Sequence, residues 1–222
     1  MGWTGFAAIF AAFFLTHSIP VRPTVKSRLV DVIGARSFGL VYSVLSVGML
    51  TLLIWSAGEA PYVQLWPQME WHRHAAHLGM MAVCLILALG IARPNPFSFG
   101  GARNDSFDPA RPGIVRWTRH PILLALALWA VVHLVPNGDL AHVILFGVLG
   151  SFAIAGRALI DRRKRRVLGA SRWDALDTAR KAAPRFHAPR SWPVLFFRLL
   201  IGLAAFAALL LAHPHVIGVS AM

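Results

Sequence analysis

Six apolar stretches, roughly residues 3–19, 38–56, 75–92, 120–135, 140–160 and 192–212, limit what this chain can fold into. Each approaches the ~20 residues a helix needs to cross a bilayer. Only 14% of the residues are charged and 57% are hydrophobic, whereas soluble domains carry about 25% charged residues. The expected fold is an all-α polytopic membrane helix bundle of about six transmembrane helices, forming one domain over residues 1–222. Pro20, Pro94, Pro136 and Pro214 follow segments one, three, four and six, where proline cannot continue a helix. Pro121 and Pro193 sit near helix starts, where a missing N–H matters little. "PNGD" reads as a tight turn. Gly39 and Gly48 are expected to let helices pack closely, and Ser18 and Ser43 to hydrogen-bond between helices.

The basic residues orient this bundle. Of 22 Lys and Arg, 21 lie in or beside the first, third and fifth loops, and Arg73 alone lies in an even-numbered one. The positive-inside rule makes the odd loops cytoplasmic and puts both termini outside. The same distribution accounts for the net charge of +13, so a nucleic-acid partner is not expected. "DRRKRR", from residue 161, reads as a topology anchor against anionic lipid. The first apolar run has no basic residue before it, unlike a cleavable signal peptide, and reads as a retained helix. The single cysteine, Cys84, allows no intrachain disulfide and no cysteine-based metal cluster, and is expected to pack.

Topology also sorts the histidines by depth. His17 ends segment one and His120 begins segment four, which places both at the cytoplasmic level. His72, His74, His77, His133, His142, His213 and His215 fall at the outer level, while His187 lies in a cytoplasmic loop. His120 and His133 are separated by about 20 Å of helix and cannot share an ion. "HRHAAH" sets His74 and His77 three apart on one helical face, without a carboxylate or cysteine to complete a metal site. Ionisable groups at membrane depth are functional candidates, although a histidine at a helix end can simply meet water or headgroups. Two imidazoles at one level can ligate haem iron from both sides. Phe13, Phe14, Phe38, Tyr42 and Trp117 could wall such a haem, and Arg22, Arg116 and Arg119 could pair with its propionates.

"THSIP", "GARSFGLVYSVLSV", "ARPNPFSFG", "GIVRWTRHP" and "WAVVHLVPNGD" before "ILFG" occur in that order over most of the chain. Together they resemble the NnrU family of bacterial membrane proteins. The resemblance implies a multi-pass protein of the bacterial inner (cytoplasmic) membrane, associated with nitrite and nitric oxide reduction in denitrification. That family is similar to plant 15-cis-zeta-carotene isomerase, a haem b membrane protein. Carried over, the haem ligands are His17 of "THS" and His120 of "TRHP", with His77 and His133 as alternates. Membrane lipid, nitric oxide, a lipid-soluble polyene and a respiratory or denitrification enzyme are the implied partners. The chemistry would be redox, nitric oxide-linked or polyene cis-trans isomerisation.

"TRHP" is also similar to the Arg-His-Pro motif of membrane methyltransferases that use S-adenosylmethionine. Asp161 stands in the comparable acidic position, but the paired glutamates are missing and Arg162 and Arg163 follow. A third alternative is a cofactor-free assembly partner of a respiratory enzyme. No catalytic constellation is legible.

Overall fold

A computed structural model describes residues 1–186 and 188–219; His187 lies outside the described residues. The described residues form helices and no strand, as expected. They are α1 (Trp3–Ser18), α2 (Pro23–Ile33), α3 (Ala35–Gly58), α4 (Glu70–Gly90), α5 (Pro121–Leu134), α6 (Leu140–Leu168), α7 (Ala170–Ala182) and α8 (Trp192–Val216). Two short 3-10 turns, Asn104–Ser106 and Gly113–Arg116, lie between α4 and α5.

All six apolar stretches fold as helices, but they differ in reach. Four, α3, α4, α6 and α8, are long and apolar enough to cross a membrane. A fifth span arises if α1 and α2, bent by 73° at their junction, count as one. α5 has 14 residues, about 21 Å at 1.5 Å per residue, against a hydrocarbon core of about 30 Å. Proline sets its limits: Pro121 occupies its first turn and Pro136 lies just beyond its end.

Two helices were not expected. α2 and α7 occupy loops whose charge hid their periodicity. α6 runs through "DRRKRR" to Leu168, so that anchor is a helical extension. Pro214 does not follow α8 but lies inside its last turn. Ser191 caps the other end, its Oγ accepting the Val194 N–H at 3.5 Å.

The chain forms two compact units. Unit 1 comprises Met1–Pro67 and Gly138–Leu145, and unit 2 comprises Gln68–Asn137 and the residues from Phe146 onward. In unit 1, α1 packs on α3, with Phe6, Phe10, Phe13 and Phe38 buried. Gly138 is held within that unit by the Leu65 N–H, which donates to its carbonyl at 2.7 Å.

In unit 2, α4 packs on α5 and α8. A side chain on Gly79 would collide with Val132, and one on Gly90 would come within 2.7 Å of Pro121. The close helix approach is therefore made there. Gly39 and Gly48, expected to serve it, have nothing within 4 Å of where a Cβ would stand. Ser43 likewise bonds back to its own helix, donating to the Gly39 carbonyl at 2.8 Å. Cys84 packs in the interior at 4% exposure.

Candidate functional site

The best-built polar site lies in unit 2 and starts from the segment 91–101. Asn95, Phe97 and Ser98 are almost fully buried. Asn95 organises the segment in three directions. Its N–H donates to Asn104 Oδ1 at 2.9 Å, its Nδ2 to the Arg119 carbonyl at 2.9 Å, and its Oδ1 accepts from the Phe97 N–H at 3.1 Å. This fixes both the Ser98 hydroxyl and the backbone entering α5.

His120 stands at that entrance, 2% exposed. Its Nδ1 lies 3.0 Å from Ser98 Oγ and its Nε2 lies 2.9 Å from Asp161 Oδ1 on α6. In the Nε2–H tautomer the ring donates to Asp161 and accepts from Ser98. Asp161 also accepts two bonds from Arg119, Nη2 at 2.6 Å and Nε at 3.2 Å. This fork on a carboxylate is among the stronger protein hydrogen-bond geometries.

Arg119 extends the network. Its Nη1 donates to Asp177 at 3.1 Å, and its guanidinium lies 5.1 Å over the Trp173 ring. Asp177 also receives Arg180, and Lys181 at 2.7 Å. Arg180 Nη1 donates to the carbonyls of Val115 and Arg116, while Arg116 Nε donates to the Ala183 carbonyl at 2.7 Å. Together these bonds strap α7 against the turn before His120. Burial would raise the Asp177 carboxyl, but hydrogen bonds from Lys181 and Arg180 and the charges of Arg180 and Arg119 overcome it. They hold the pKa at about 2.

The expected site residues divide between the units. In unit 1, the His17 ring stacks on Phe13 at 5.4 Å and meets Tyr42 at 5.7 Å, tilted. The Tyr42 hydroxyl donates to the His17 carbonyl at 2.9 Å. Arg22 is exposed and precedes α2. Unit 2 holds His120, Arg116 and Arg119.

Of the alternates, His77 is half-buried on α4. His133 lies between Trp129 and Phe146, with its Nδ1 2.8 Å from the Trp129 carbonyl. Among the described residues, no three His, Cys, Asp or Glu side chains gather to hold a metal ion.

Haem iron takes a lone pair from an imidazole nitrogen. As placed, both His120 nitrogens have partners and the Asp161 carboxylate stands where iron would bind Nε2, so this arrangement does not fit an axial ligand. Arg119 and Arg116, the expected propionate partners, are likewise engaged within the protein. Asp161 is committed to Arg119 and His120, which leaves it little capacity for a methyl-donor cofactor.

Sequence reasoning weighed Asp161 only against S-adenosylmethionine and missed Ser98, Asn95, Asp177 and Arg180. A local signal existed at Asp177, which has Arg180 three residues on and Lys181 four residues on along a helix, as paired charges do.

No curated protein and no solved structure matches the chain. The family model described as "NnrU protein" matches residues 5–221. The match covers nearly the whole chain, and the chain belongs to the NnrU family.

Proposed function

We propose that this NnrU-family membrane protein works through the His120–Asp161 pair as a proton-exchanging centre in redox or nitric oxide-linked chemistry of the bacterial inner membrane. One observation carries the reading. A 2% exposed imidazole touches a carboxylate whose side chain is 22% exposed. Asp161 thus gives a sealed ring a polar outlet, and Ser98 occupies the opposite nitrogen. A general acid or base needs this kind of positioned hydrogen bond.

Nitrogen-15-labelled histidine in the purified full-length protein tests this by the exchange rate of the His120 ring proton. Asp161→Asn should slow that exchange at least tenfold. An unchanged rate would mean that Asp161 is not the outlet.

The family's resemblance to a haem b protein supports a second reading, in which His17 and His120 hold haem for redox or isomerase chemistry. The stacking of His17 on Phe13 favours it, since ligand rings are often walled by aromatics. It requires His120 to release Asp161. A Soret band lost in both His17→Ala and His120→Ala would replace the first reading with this one.

A further inference from the structure

A second feature of unit 2 stands apart from the His120 cluster. A cavity of about 700 Å³ opens among the segment 92–117, residues 185, 186 and 189–191, and the start of α8. That is the size of a small-molecule site. Six arginines line it, Arg93, Arg103, Arg111, Arg185, Arg190 and Arg198, against one acid, Asp108.

The acid answers little of that charge. Asp108 reaches Arg190 at 3.5 Å and also accepts the Ala110 N–H. Arg198 is turned to the end of α4, where it donates to the Ala88 and Ile91 carbonyls. Burial, then the charges of Arg198, Arg190 and Arg103, push the Arg93 guanidinium below its ordinary value. The protein thus gathers cations that repel one another. The N-terminal end of α8 borders the same cavity through Ser191, Val194 and Leu195 and adds no acid to it.

The remaining wall is apolar. Leu89, Ile114, Trp117 and Phe186 line it. Trp117 and Phe186 meet edge to face at 5.3 Å, yet stay 57% and 85% exposed. Two large aromatics paired at the rim of a cationic hollow match a ligand with an anionic head and an apolar tail. A free phosphate would use only the arginines.

We propose that this cavity binds the phosphate-bearing head of an anionic amphiphile, with Arg93 and Arg103 on the phosphate and Trp117 and Phe186 along the chain. Planar guanidinium groups suit phosphate oxygens.

The test uses the full-length protein in neutral detergent, titrated with short-chain phosphatidylglycerol and phosphatidylcholine and read by native mass spectrometry. Phosphatidylglycerol should be retained at least tenfold more strongly. The Arg93→Gln/Arg103→Gln pair should abolish that preference. Arg28→Gln/Arg36→Gln, which removes equal charge from exposed positions elsewhere, should preserve it. Trp117→Ala should weaken phosphatidylglycerol severalfold without restoring phosphatidylcholine. Equal retention of the two lipids, or equal loss in both double variants, overturns the proposal. So does competition by millimolar inorganic phosphate that matches phosphatidylglycerol, since it would make the ligand a soluble phosphate.

Discussion

Unit 1 surrounds its central histidine with rings, whereas unit 2 surrounds its own with charges. His17 stacks on Phe13 beside Tyr42. His120 is bonded at both nitrogens, and the bonds continue through Asp161, Arg119 and Asp177 to Arg180. The two settings respond differently to change. Ring packing is weakly directional, so another ring can replace it with small loss. A buried ionic network is directional, and deleting one member leaves the others desolvated and unpaired. Unit 2 should therefore show sharp mutational thresholds where unit 1 shows gradual ones.

The contrast is tested hardest at Asp177. Asp177→Ala leaves the Arg180 charge, on a side chain 5% exposed, without its carboxylate and with only the Val115 and Arg116 carbonyls. Removing one partner of a buried pair costs about 3–5 kcal/mol. Equilibrium unfolding in detergent should show that loss, and protease should cut near α7 first. A loss under about 1 kcal/mol would mean that water already serves Arg180.

The two histidines supply the direct comparison. His120→Ala orphans Ser98 and one bond of Asp161, at about 1–3 kcal/mol for each group left unsatisfied. His17→Phe keeps a ring against Phe13 and should stay within about 1.5 kcal/mol. The same unfolding assay reads both, and the reverse order would dissolve the distinction between the units.

Acid should act on unit 2 by a smaller amount. Asp177 has a folded pKa of about 2 against an ordinary 3.8. A depressed carboxylate pKa stabilises the fold fully above the unfolded value and loses that contribution as pH falls through the folded one. At 1.36 kcal/mol per unit, about 2 kcal/mol should fade between roughly pH 4 and pH 2. The amide protection factor in α7, exchange corrected for its intrinsic pH dependence, should fall over that window in the parent and stay flat in Asp177→Asn.

Much of this molecule was legible because bilayer physics writes it in long strokes. The six apolar segments and the placement of Pro121 survive in the fold. α2 and α7 were hidden because their residues are too charged to show an apolar stripe at a glance. Depth along the membrane can rank His17 with His120, but it carries no information on the partner of an imidazole nitrogen. That partner, Asp161, lies 41 residues away on another helix. The role of "ARPNPFSFG" was invisible for the same reason. Asn95 and Ser98 matter through what they reach across a loop, and no local pattern marks such a reach.

The smallest effect belongs to unit 1, at Tyr42. The last four carbonyls of a helix lack partners within it, and His17 supplies one of them at the end of α1. The Tyr42 hydroxyl donates to that carbonyl at 2.9 Å, joining α1 to α3. Tyr42→Phe keeps the ring beside His17 and stacked on Phe38 at 6.0 Å, and removes only the hydroxyl, with its bond to the His17 carbonyl and its contact with Ser46. The expected loss is about 0.5–1.5 kcal/mol, with hydrogen exchange rising in the last turn of α1 alone. A loss of several kcal/mol would show that unit 1 also depends on a directional polar contact. Its histidine would then belong with His120 after all.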